Sequence, residues 1–201
     1  MRYSDTHKEE TRRRIVVAAA RAMRAHGPDG VGVARLMGEV GLTHGGFYAH
    51  FPSKDDLIGA VVTQAFDDNR ARLQRTLGGA DDATYLSSFV DGYVSAGHRD
   101  HPERGCPIAT LSTDLPRQGE PARAAFDAGV KSLIKALASR LTVGAPDERD
   151  ALAGSLVAEM AGAVALARAV SDPELSDRLL NESRRRVKAR MGLPDSSPEK
   201  A

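Results

Sequence analysis

Apolar residues recur at three- and four-residue steps through most of this chain, the spacing that lines one face of a helix. Val33, Leu36, Met37 and Val40 form a short stripe of this kind, and Gly41 follows it. A glycine there accepts the positive φ that a turn between crossing helices needs. Thr43 is then placed to cap a second short helix over residues 44–50, whose Phe47 and Phe51 face a small core with Leu42. Pro52 stops that helix, and Ser53 to Asp56 has the pattern of a capping box opening the next. Leu57, Val61, Ala65 and Leu73 predict a long helix over residues 54–77, closed by Gly78 and Gly79. Leu86, Phe89, Val90, Tyr93 and Gly97 mark another. Residues 107–115 predict a short helix that Pro116 curtails, and Phe126, Val130, Leu133, Leu137 and Leu141 stripe a helix beginning near Pro121. Residues 147–170 are crowded with alanine and glycine, and Asp172-Pro173 opens a final helix running through Leu175, Leu179, Leu180 and Val187. No alternating segment or Asn-Gly hairpin signal interrupts this pattern, so an all-α chain is expected.

The segment 33–54 carries the most chemistry. Gly45 and Gly46 each cost about 1 kcal/mol of helix propensity relative to alanine, a cost that makes sense where a backbone must approach a phosphate or a base edge. Tyr48 and His50 add a hydroxyl and an imidazole suited to phosphate oxygens. Helix, glycine turn and helix can also be an ordinary hairpin. The paired glycines, the flanking Tyr/His pair and Lys54 at the next helix start favour contact with duplex DNA.

Arg14-Ile15 with Ala18-Ala19, Gly27, the run from Val40 to Phe51, Ser53-Lys54 and Asp56-Leu57 together resemble the DNA-binding end of the TetR family of bacterial regulators. The likeness covers about the first quarter of the chain. It implies a three-helix helix-turn-helix domain at residues 1–53 and a helical effector-binding and dimerisation domain at 54–191, with a disordered tail at 192–201. By resemblance Thr43, His44, Gly45, Gly46, Tyr48, His50 and Lys54 fall where family members contact operator DNA. Three positions depart from the common pattern. Many members carry Thr or Ser where this chain has Val31 and Gly32, and Lys or Arg is common at the position of His44.

Charge agrees with a nucleic-acid partner at one end. Residues 1–54 hold nine Lys or Arg against five acids, net +4; the whole chain is +1, which leaves −3 for the remainder. The cluster Arg12-Arg13-Arg14 reads equally well as a solvated helix face. The chain of 201 residues is long enough for a small head and a larger second domain. Its polar opening and the lack of an unbroken apolar run near 18 residues argue against a signal peptide and a membrane span. One cysteine excludes an internal disulfide, so a cytoplasmic protein is expected.

The small residues of 147–170 suit either a core or a close helix approach. The family resemblance implies the latter: a homodimer in which the last two long helices of each chain form a four-helix bundle, with Ala161 and Ala165 near closest approach. It also implies a small organic effector, for which Phe66, Tyr85, Phe89, Tyr93, Leu111, Phe126 and Met160 are candidate lining, though all serve equally as core. His98, His101, Glu103 and Cys106 lie within nine residues, but their spacing matches no strong zinc pattern, and no metal or other cofactor is expected. Cys106, before Pro107 at a helix start and near Arg104, is a candidate reactive thiol. It allows an alternative regulator that senses oxidants or electrophiles, although a small buried residue explains it as well. An enzyme using Cys106 with His98 or His101 lacks a third group to orient the pair. A helical dimerisation protein without DNA binding would be expected to lose the Gly-Gly-Phe-Tyr pattern, which is intact at residues 45–48. The expected function is a DNA-binding repressor released by a small molecule.

Overall fold

A computed structural model describes residues 2–194. Among them nine α-helices are joined by short 3-10 turns, with no strand. The helices are α1 (Arg2–His26), α2 (Val33–Glu39), α3 (Lys54–Leu77), α4 (Asp82–Tyr93), α5 (Ala96–Asp100), α6 (Pro107–Leu111), α7 (Glu120–Ala138), α8 (Arg149–Ala169) and α9 (Pro173–Arg190). The sequence division into 1–53 and 54–191 follows chain order, whereas packing groups the chain differently. Among the described residues one compact unit contains residues 2–69 and 102–129, the other residues 70–101 and 130–194. The tail expected from residue 192 lies, from 195 onward, outside the described residues.

The first unit is built on α1. Its inward residues Ile15, Val16, Ala19, Ala20 and Met23 repeat at helical spacing and are buried. Around them gather Leu36 and Met37 of α2, Phe47 and Phe51, then Leu57, Ile58, Val61 and Val62 of α3. Leu111, Leu115 and Ala122, distant in sequence, complete the same cluster. Two close approaches seat α7 here. A Cβ at Gly59 would lie 3.1 Å from Pro121, and the Phe66 ring occupies the space above Gly129. The α1 C-terminus closes on Gly27, whose φ of +74° only glycine adopts cheaply. Nearby, the Arg24 guanidinium, its side chain 6% exposed, donates from Nε to the Glu103 carbonyl at 2.9 Å.

In the second unit α8 packs on α9 through Leu156, Met160, Val164, Leu180 and Val187, all buried. By length and composition α8 is the one described helix able to cross a bilayer. Packing against the rest of the unit buries 44% of its most apolar stretch, which also contains Glu159. Specific polar ties add to this packing. Asp172 caps α9, accepting from Glu174 N and Leu175 N. The Ser176 hydroxyl donates to the Ala167 carbonyl at 2.6 Å, and the buried Lys188 ammonium meets Asp91 at 2.7 Å. The helix expected through Gly97 is two. α4 stops at Tyr93, and the Ser95 hydroxyl, accepting from His98 N, starts α5. The segment expected as one helix over 107–115 is likewise α6 followed by a 3-10 turn at Leu115–Arg117.

Candidate nucleic-acid interface

The exposed surface of the first unit is set by how its two short helical pieces meet. The Arg14 guanidinium donates to the Val40 carbonyl at 2.9 Å, so α1 holds the end of α2. Gly41 turns the chain at φ +76°, and Leu42 N returns to Met37 O at 2.8 Å. The piece that follows is a 3-10 helix, His44–Ala49, rather than an α-helix. Its bonds Gly46 N to Thr43 O (3.0 Å) and His50 N to Phe47 O (2.9 Å) span three residues. Two glycines in six residues disfavour a longer α-helix, and a short tight turn is the usual form of such a segment. The expected side-chain cap from Thr43 is absent. Thr43 holds the turn through its carbonyl, which accepts from Gly46 N. At the next helix the Ser53 half of the capping box is present, closed by a side-chain bond. The Ser53 hydroxyl accepts from Asp56 N at 3.1 Å and donates to the Asp56 carboxylate at 2.6 Å.

Alternation of inward and outward residues then makes the site. Phe47 and Phe51 are each 1% exposed, their rings 5.7 Å apart and nearly parallel. Tyr48 points the other way, 66% exposed, edge-on to Phe47 and to His44. Thr43, His44, Gly45 and Tyr48 are exposed, while Gly46, His50 and Lys54 are half-buried. A Cβ at Gly45 would meet nothing within 4 Å, so its missing side chain clears space outside the protein, not within it. His50 closes the segment. Burial of its ring, then the positive charges of Lys8, Arg12 and His7, hold the imidazole below its ordinary pKa, and its Nδ1 is enclosed with no hydrogen-bond partner. This surface offers a phenol, a hydroxyl, two imidazoles and an approachable backbone. Those groups hydrogen-bond phosphate oxygens and base edges.

Sequence reasoning placed these residues and missed what lies behind them. Arg14 and Arg12 act across more than twenty residues, the first on Val40, the second with its guanidinium 4.6 Å above the Phe51 ring. No local periodicity reports such pairs.

The proposed effector residues divide between the units. Phe66, Leu111 and Phe126 belong to the first, with the two phenyl rings 5.8 Å apart. Tyr85, Phe89 and Tyr93 line one face of α4 in the second, where Met160 is also buried. There the Arg140 guanidinium sits 4.1 Å over Tyr85, and Tyr93 meets His98 edge-on at 4.8 Å. Burial lowers the His98 pKa to about 4, although its Nδ1 is 2.7 Å from the Tyr93 carbonyl oxygen. A groove of about 430 Å³ lies instead in the first unit, between α1 and α2, and contains none of the seven. Cys106 is 5% exposed at the start of α6 and makes no capping bond through sulfur. Arg104, expected beside it, has its side chain 78% exposed and paired with Glu103 at 3.7 Å. Among the described residues no three His, Cys, Asp or Glu are grouped to hold a metal ion.

Comparison with known proteins bears on this geometry. Residues 15–61 match the family described as bacterial regulatory proteins, tetR family. Residues 83–178 match the C-terminal domain of LmrA/YxaF-like transcriptional regulators. A TetR transcriptional regulator from Chloroflexus aurantiacus is 25% identical, with a TM-score of 0.73 over 91% of this chain and 96% of its own. Reduced Escherichia coli NemR gives 21% identity and a TM-score of 0.75 over 90% and 96%. A TetR-family regulator from Cytophaga hutchinsonii gives 20% identity and 0.76 over 91% and 96%. No curated protein sequence matches. The two family matches cover both the helix-turn-helix segment and most of the helical body, and the chain belongs to the TetR family of transcriptional regulators, with its DNA-binding domain at the N-terminus.

Proposed function

We propose that this regulator is a cytoplasmic dimeric repressor whose two heads read successive major grooves of a near-palindromic operator, and that a small organic molecule releases it. The observation that carries the reading is the surface of Thr43, His44, Gly45 and Tyr48 raised on buried Phe47 and Phe51. A tyrosine 66% exposed, with Gly45 opening onto unoccupied space nearby, suits a DNA backbone. Lys54, at the first position of α3, adds a cation at its edge.

Support for the dimer comes from α8. Ala151, Ala158, Gly162, Ala165, Leu166 and Ala169 are exposed along one side, a small apolar seam with Leu166 57% exposed. Ala161, expected on this seam, is turned inward at 8% exposure; Gly162 and Ala165 take its place. With α9 alongside, two helices from each chain form a four-helix bundle. Effector binding in the helical body then shifts the spacing of the heads, a coupling of two sites through two states of one molecule. The aromatic groups at Phe66–Phe126 and Tyr85–Phe89–Tyr93 supply surface for an organic ligand once opened. Burial of Cys106 weighs against a thiol-based signal as the release step.

Fluorescence anisotropy with the duplex upstream of the chain's own gene, across a salt series, tests the reading. Binding should weaken steeply with salt as phosphate contacts release counterions. Affinity indifferent to salt would overturn it.

A further inference from the structure

Three adjacent arginines on α1 receive three different uses. Arg14 is committed to the Val40 carbonyl. Arg13 forks onto the Glu10 carboxylate, at 3.0 and 3.1 Å. Arg12 instead lies over Phe51, next in sequence to His50. Lys8, one turn earlier, shares that face of α1 at the i, i+4 spacing. Both are exposed, and among the described residues neither is drawn into an ion pair.

Arg12 stands beside His50 through its place over the Phe51 ring, and Lys8 precedes Arg12 by one turn on the same helix. Lys8, Arg12 and His7 are the charged groups acting on its ring, all from α1. Its Nδ1 is enclosed and unpartnered, which disfavours a second proton there because that N–H would find no acceptor. The remaining ring edge belongs to a neutral donor. Two cations without an ion pair among the described residues, beside one neutral donor, are complementary to a single anion. His50 also ends the 44–49 segment, so the anion lies at the border of the surface formed by Thr43, His44 and Tyr48.

We propose that Lys8, Arg12 and His50 seat a backbone phosphate of duplex DNA beside the base-reading surface, which makes the first half of α1 a second, sequence-independent DNA contact. The proposal rests on the operator-binding reading above. It assigns Arg12 an electrostatic role and leaves Arg13 as a solvated pair.

The full-length protein is titrated with its operator duplex and with an unrelated duplex of equal length, from 50 to about 300 mM salt. Lys8→Gln and Arg12→Gln should each reduce the slope of log affinity against log salt, the two together by about 0.9, the value for one phosphate. Each should weaken both duplexes alike, by about two- to fivefold at physiological salt. Arg13→Gln should leave the slope unchanged. Because Arg12 also covers Phe51, thermal melting accompanies that variant, and Lys8→Gln, on an exposed residue, must show the same loss. Slopes equal to wild type in Lys8→Gln overturn the phosphate seat, whatever Arg12→Gln does. Wild-type protein that binds neither duplex in a salt-dependent way overturns the operator reading itself, a separate result.

Discussion

Gly45 in the head and Gly162 on α8 both face open space, and each sits in a run of small residues that leaves part of the surface uncovered. What surrounds them differs. Around Gly45 stand Thr43, His44, Tyr48 and His50, with Lys8 and Arg12 close behind. Around Gly162 are Ala158, Ala165 and Leu166, which carry no charge and no hydrogen-bonding side chain. A missing side chain only permits close approach. The chemistry at its edges selects what approaches, a polyanion in one case and a second apolar helix in the other.

Placing charge on the apolar seam should break the comparison most severely. Ala165→Arg buries an unpaired cation in the proposed dimer, at a cost of about 3–5 kcal/mol. Light scattering should report monomers at micromolar concentration with the head still folded by circular dichroism; a persistent dimer moves the interface elsewhere. Acidification should distinguish the two units next. His98 has a folded pKa of about 4, below its unfolded value, so its contribution is present above about pH 6.5 and lost as pH falls towards 4. The shift corresponds to about 3 kcal/mol, and His98→Asn should flatten the fall in melting temperature over that window. In the head the His50 shift has the same sign, so its ring stays neutral and can donate to a phosphate without taking up a proton. A smaller effect is expected at the reading surface, where Tyr48→Phe removes one hydroxyl and should weaken operator binding by about 1 kcal/mol. An unchanged affinity would leave Tyr48 as a contact of shape alone. The smallest effect concerns Gly32, which caps α2 without a side chain in a space where a Cβ would meet nothing within 4 Å. Gly32→Ser should raise stability by a few tenths of a kcal/mol, about the gap between these residues as helix caps, measured by thermal melting.

Much of this was legible because it is local. The turn at Gly41, the Ser53 half of the box at Ser53–Asp56, the end of α3 before Gly78 and the cap at Asp172 all depend on residues within a few positions, and the structure contains each. The inward pair Phe47/Phe51 and outward Tyr48 follow from the same short range. Two local expectations gave way to competing geometry: Thr43 caps through its carbonyl because the segment is 3-10, and Ser95 restarts a helix that apolar spacing alone would continue to Gly97. The unreadable part is long-range. Nothing near Arg14 announces Val40, nothing near Phe66 announces Gly129, and a cysteine at a helix start does not reveal whether neighbouring chains bury it. Side-chain identity also could not say which alanine of α8 faces out, since Ala161 and Ala165 are alike in type and one turn apart.

The presence of Leu111, Leu115 and Ala122 in the same cluster as Ile15 and Met37 has a consequence for how the molecule is made. During synthesis the first 69 residues emerge well before these three partners, so the helix-turn-helix segment leaves the ribosome with part of its apolar face uncovered. Contacts about a hundred residues apart raise the entropy that must be lost before the head is stable, and slow its formation. The head therefore matures in step with the middle of the chain, and until residue 122 has been added the nascent regulator has no finished surface with which to engage DNA.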